Sequence, residues 1–131
     1  LKTMGDIYIT AAGVPRTGER DAANGIEAAL EIRQFLDDLG EARRAHGEFV
    51  LEARIAVHSG RVIGGIVETQ KMSYDLWGSA IKALLDLLNE APHGQVVISD
   101  TTRALAGEEF LSTPAGKISS IAFFSVTKRA A

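Results

Sequence analysis

The chain has 131 residues, 46% hydrophobic and 24% charged, which is the size and make-up of one globular domain. Its net charge of −3 argues against a nucleic-acid binder, which carries a basic surplus. The absence of cysteine excludes a disulfide framework and a thiolate metal site, and fits a cytoplasmic setting. No apolar run approaches the roughly 18–20 residues of a membrane span. The opening residues, Leu1-Lys2-Thr3-Met4, read as the interior of a longer chain.

In chain order, residues 6–12 (DIYITAA) read as a strand stopped by Gly13-Val14-Pro15. Residues 16–24 are polar and read as a loop. A helix is expected over residues 25–45, because Ile26, Ala29, Leu30, Phe35, Leu36 and Leu39 recur near the 3.6-residue period. Either Gly40 or Gly47 is placed to end it. Residues 49–57 alternate apolar and polar side chains, residues 58–61 form a turn, and residues 62–67 (VIGGIV) read as a returning strand. This predicts a hairpin whose glycines mark a bulge or close backbone approach. A short strand is expected over residues 73–76.

The clearest helix is Ser79–Glu90. Trp77, Ala80, Ile81, Leu84, Leu85 and Leu88 form an apolar stripe at helical spacing, and His93-Gly94 breaks it. Residues 95–98 read as a strand. Ser99-Asp100 supplies a capping signal for a short helix over residues 101–105. Residues 118–126 read as the last strand. This order of elements predicts an α+β sandwich with helices on a sheet.

Three segments go further than fold class. They are Lys2-Thr3-Met4-Gly5-Asp6-Ile7-Tyr8 with Gly13-Val14-Pro15, then Arg54-Ile55-Ala56-Val57-His58-Ser59-Gly60, then Tyr74-Asp75-Leu76-Trp77-Gly78. Taken in that order, with helix-sized gaps, the chain resembles the class III adenylyl/guanylyl cyclase catalytic domain. The likeness continues through Gly94-Gln95-Val96-Val97-Ile98-Ser99. It covers the C-terminal two-thirds of such a domain, without its N-terminal strand and helices.

The resemblance implies a ferredoxin-like α+β sandwich, with an antiparallel-rich sheet and helices packed on it, over residues 1–131. It implies conversion of ATP to cyclic AMP and pyrophosphate at the interface of a homodimer or heterodimer. It also implies two divalent cations, Mg²⁺ or Mn²⁺, which activate the attacking hydroxyl and neutralise phosphate charge. Asp6 matches one metal aspartate; the other lies upstream of Leu1 in the family. Lys2 and Asp75 match the adenine-selecting pair, with Lys donating to a ring nitrogen and Asp accepting from the exocyclic amine. Arg54 matches a polyphosphate contact, or is an exposed strand residue. His58 is read as a structural residue at the hairpin turn.

One departure is sharp. In the family the helix after Trp77-Gly78 carries an Asn and, four residues on, an Arg, which hold the ribose and the reacting phosphorus. Counting without gaps to Gly94-Gln95 puts Lys82 and Asp86 at those positions. The spacing keeps both on one helix face, where they suit an ion pair. The basic turn that serves the phosphates near the C-terminus is reduced to Lys117, itself as readily a plain turn residue. Two readings therefore stand: a cyclase with weakened turnover, or a degenerate cyclase-like domain acting as a dimerising or nucleotide-binding regulator.

Overall fold

The computed structural model describes residues 2–4, 6–12, 18–49, 53–60, 63–68, 72–77, 79–118 and 120–128. Its elements are β1 (Lys2–Met4), β2 (Ile7–Ile9), α1 (Asp21–Ala45), β3 (Ile55–Val57), β4 (Ile63–Glu68), β5 (Met72–Trp77), α2 (Ser79–Glu90), β6 (Val96–Ser99), α3 (Asp100–Ala106), a 3₁₀ turn (Gly107–Glu109), β7 (Phe110–Ile118) and β8 (Ile121–Lys128). Four strands form one sheet in the order β3-β6-β8-β7. Only the β3–β6 pair in it is parallel. The mixed α+β architecture with an antiparallel-rich sheet is the one expected.

Strand β6 lies inside the sheet, and each of its four residues is buried. Its alternation feeds both faces. Val96 and Ile98 join Ala23, Ile26 and Ala29 of α1, with Phe110 and Val126, in one apolar cluster. Val97 points the other way and joins Leu87 of α2, Ala91 and Phe123. Helix α1 therefore covers one face and α2 the other.

Helix α1 starts four residues before the expected position and ends as a Schellman motif. Gly47, at φ +69°, follows the C-cap His46. The Gly47 N–H donates to the Arg44 carbonyl at 3.1 Å and the Glu48 N–H to the Arg43 carbonyl at 2.8 Å. Gly40 does not end the helix; it is buried within it. Phe35, expected on the core stripe, is 65% exposed. On α2 the buried residue is Leu87, one turn-step away from the expected stripe, whose Leu84, Leu85 and Leu88 are only half-buried.

The expected hairpin of residues 49–57 with 62–67 is not formed. Strand β4 instead pairs antiparallel with β5, with Ile63 opposite Trp77 and Glu68 opposite Met72. Strand β3 pairs with the distant β6, with Val57 opposite Ile98. Alternation in sequence identifies strands but carries no information on which strand answers which. Ala53 and Arg54 precede β3 rather than belonging to it, and the expected strand positions 50–52 lie outside the described residues.

The last expected strand, over residues 118–126, corresponds to β8, and β7 before it was not expected. Strands β7 and β8 form an antiparallel hairpin, with Ile118 opposite Ile121. Pro114 and Gly116 hid β7 from a propensity reading. Pro is tolerated because β7 is at the sheet edge, and the register shifts between Pro114 and Gly116 as in a bulge. Gly116 also makes room for Phe123, since a Cβ there would lie 2.7 Å from the Phe123 ring. Lys117, expected in a turn, is an exposed strand residue opposite Ala122.

Candidate active site

The β1–β2 hairpin closes Met4 on Ile7, which places Asp6 in its connection, exposed to solvent. Lys2 stands opposite Ile9 in β1, and Asp75 stands opposite Gly65 in β5. The side chains of Lys2 and Asp75, and the expected motif residues 13–15 and 78, lie outside the described residues. A strand-end carboxylate such as Asp6 is a hard oxygen donor of the kind Mg²⁺ and Mn²⁺ take. It is one ligand. Among the described residues no group of three His, Asp or Glu side chains could hold a metal ion.

Lys82 and Asp86 come together as the helical spacing requires. The Lys82 ammonium donates to Asp86 Oδ2 at 3.0 Å, with the Lys side chain 83% and the Asp side chain 46% exposed. At this exposure water screens the pair, and it is worth only about 0.3–0.5 kcal/mol. Both residues line a pocket of about 180 Å³ with His58, Ser79, Ala83, Leu87, Ile118 and Ile121. The pocket therefore lies between one face of α2, the segment after β3, and the β7–β8 turn. Arg54 is not among its residues. Its guanidinium donates to the Asn89 carbonyl at 3.3 Å, tying the chain before β3 to the end of α2.

His58 has a fuller environment than a hairpin turn would give it. Its Nδ1 lies 2.8 Å from the Ser99 hydroxyl. Ser99 is the N-cap of α3, accepting from the Thr102 N–H at 3.4 Å. The Thr102 hydroxyl contacts Ser99 Oγ at 3.1 Å and Ser59 Oγ at 2.8 Å, and donates to the Val57 carbonyl at 3.5 Å. Ser99 and Thr102 are fully buried, so a satisfied network here is required rather than ornamental. The capping signal at Ser99 was visible in sequence; its contact with a histidine 41 residues away was not.

Burial lowers the His58 pKa below the ordinary 6.5, and the nearby Asp100 charge opposes that shift only in part. Folded His58 therefore resists the proton that the unfolded chain accepts. Stability linked to this group is complete above about pH 6.5 and is lost as pH falls through the folded-state pKa. Urea unfolding midpoints are expected to drop between about pH 7.5 and about pH 5.5, and to drop less in the His58→Asn variant. An equal drop in both would remove His58 as the cause.

Comparison with known proteins gives the family and the fold. The family described as the adenylate and guanylate cyclase catalytic domain matches residues 1–121. The chain belongs to that family. Among curated relatives it is 28% identical over 104 residues to atrial natriuretic peptide receptor 2 of Rattus norvegicus, covering 79% of this chain and 10% of the receptor. It is 25% identical over 118 residues to an adenylate cyclase of Mycobacterium bovis, covering 90% of this chain and 26% of that protein. The chain thus spans a minor part of each.

Among solved structures, the adenylyl cyclase CyaB from P. aeruginosa matches with a TM-score of 0.81 at 19% identity, over 91% of this chain and 66% of that one. The catalytic core of a rhodopsin-guanylyl cyclase with converted specificity, in complex with ATPαS, matches with a TM-score of 0.84 at 23% identity, over 98% and 70%. These establish the cyclase fold. Relatives named as guanylyl cyclase and as adenylate cyclase both occur, and the family's lyase chemistry is in general divalent-metal dependent. No helix among the described residues is long and apolar enough to cross a membrane.

Proposed function

We propose that this chain is an adenylyl cyclase-type domain, which converts ATP to cyclic AMP and pyrophosphate at a dimer interface and turns over slowly when dimerised with itself. Lys2 and Asp75 select adenine: the ammonium donates to a ring nitrogen and the carboxylate accepts from the exocyclic amine. Guanine presents the reverse pattern at those positions. Asp6 supplies one carboxylate to the divalent cations, whose chemistry is to activate the ribose hydroxyl and neutralise phosphate charge. Arg54 contacts the polyphosphate in this reading through guanidinium N–H groups other than the one it gives to the Asn89 carbonyl.

The observation that carries the slow turnover is the Lys82–Asp86 pair at 3.0 Å on the pocket face of α2. Where the family's helix offers an amide and a guanidinium, this one offers an ammonium already engaged with a carboxylate. A carboxylate about 4 Å from a phosphate charge is repelled by up to ~4 kcal/mol at an effective dielectric near 20. The same pair favours a second reading, a nucleotide-binding regulator without turnover.

Purified protein given Mn²⁺-ATP, and separately Mn²⁺-GTP, tests both. Slow cyclic AMP formation with no cyclic GMP is the expected result. Saturable ATP binding with no cyclic AMP would establish the regulator instead. Preference for GTP would overturn the adenine assignment of Lys2 and Asp75. Robust cyclic AMP formation by the homodimer would overturn the role given to Lys82 and Asp86.

A further inference from the structure

The hydroxyl chain behind His58 bears on which imidazole nitrogen carries the proton, because its four contacts need four hydrogens and three hydroxyls supply three. The Thr102 hydroxyl has one hydrogen, and the Val57 carbonyl at 3.5 Å is placed to accept it. The contacts of Thr102 Oγ1 with Ser99 and Ser59 then need their hydrogens from those serines. Ser99 has spent its hydrogen on Thr102, so its oxygen accepts from His58. With all four contacts bonded, the fourth hydrogen is the one on Nδ1. With Nδ1 lone-paired, Ser99 would donate to it, Thr102 to Ser99 and Ser59 to Thr102, and the 3.5 Å Thr102–Val57 contact alone of the four would hold no hydrogen. A neutral imidazole protonated at Nδ1 carries a lone pair at Nε2. The lowered pKa is consistent with a neutral ring.

Nε2 lies on the side of α2. A Cβ at Gly60 would meet both Nε2, at 3.6 Å, and the Ala80 methyl, at 2.9 Å. Among the described residues Nε2 has no hydrogen-bond partner, although the ring is half-buried. The pocket it lines has an apolar floor of Ala83, Leu87, Ile118 and Ile121, with His58 and Asp86 as acceptors and Lys82 as a donor. An apolar floor beneath convergent acceptors suits a sugar ring, which presents C–H groups on its face and O–H donors at its rim. The space, about 180 Å³, is too small for a whole nucleotide and large enough for its sugar.

We infer that His58 is a specificity-determining residue that accepts a hydrogen bond from a ribose hydroxyl of the bound nucleotide, with Ser99 and Thr102 as the residues that position it. This rests on the proposal that the ligand is ATP, and it adds a reader of the sugar to the readers of the base. It also gives the pocket a function that remains even when Lys82 and Asp86 are paired with each other.

Calorimetric binding of ATP, 2′-deoxy-ATP and 3′-deoxy-ATP, each with Mn²⁺, tests it. Wild-type protein is expected to bind one deoxy analogue about 2- to 12-fold more weakly than ATP, which is the worth of one neutral hydrogen bond. His58→Asn keeps an atom near Nδ1 and removes the outer acceptor, so the ratio is expected to fall to about 1. His58→Gln keeps an outer acceptor and is expected to retain most of the ratio. A ratio indifferent to both variants, in protein that binds ATP, overturns the role of His58 alone. Failure of the wild type to bind ATP overturns the nucleotide reading and this inference with it. A readout without substitution comes from ¹⁵N NMR of wild-type His58, which should show Nδ1–H and a bare Nε2 whose resonance moves on adding ATP. An Nε2–H tautomer would overturn the assignment.

Discussion

Replacing Lys82 with Asn and Asp86 with Arg together is expected to raise cyclic AMP formation from Mn²⁺-ATP by about 10²–10³-fold, the usual worth of a donor aimed at transition-state charge. The two positions share one face of α2 at i and i+4, and both line the same pocket. The substitution restores an amide and a guanidinium and removes a carboxylate that repels the triphosphate. It costs little in stability, because the exposed pair it removes is worth about 0.3–0.5 kcal/mol. Asp86→Arg alone is expected to recover less, since it sets two cations one helical turn apart, and residues acting as a unit are not additive. Initial rates at saturating Mn²⁺-ATP, on protein with an unchanged unfolding midpoint, decide the matter. An unchanged rate in the double variant would locate the defect elsewhere in the site and favour the regulator reading.

The residues legible in sequence were those governed by local periodicity. Ser79–Glu90 was expected with the bounds it has, because an apolar stripe and the Gly94 break bracket it. The Lys82–Asp86 contact followed from spacing alone. The Ser99 cap was equally local. What sequence could not supply was pairing across distance. Strand β3 answers β6, about 40 residues on, rather than the adjacent β4, and nothing in an alternating run states its partner. Strand β7 was masked by Pro114 and Gly116, residues that an edge strand and a bulge accommodate but a propensity reading rejects. The α2 stripe was misjudged by a fraction of a turn, because Leu87 rather than Leu84 or Leu88 meets Val97 and Phe123. In the site, His58 looked like a turn residue because Ser99 and Thr102, which orient it, come from another strand and helix.

Ile98→Ala is expected to destabilise the fold by about 2–5 kcal/mol, the range for removing a fully buried aliphatic side chain. Ile98 is 1% exposed and belongs to the cluster that joins α1 to the sheet. It stands between Val57 of β3 and Phe124 of β8, so neighbours on both sides hold the backbone and limit collapse into the cavity. Limited collapse puts the loss in the upper part of that range, because residual cavity volume adds to the lost transfer energy. An exposed apolar control, Leu111→Ala, at 44% exposure, is expected to stay within about 0.5 kcal/mol. Urea unfolding of both variants, compared by midpoint at constant slope, measures the difference. Ser99 follows Ile98 directly in β6, so a shift of this strand also moves the hydroxyl that orients His58. Ile98→Ala is therefore expected to lower discrimination between ATP and its deoxy analogue even where the protein is fully folded. If stability falls while that ratio stays as in the wild type, the His58 chain is held by α3 rather than by the strand.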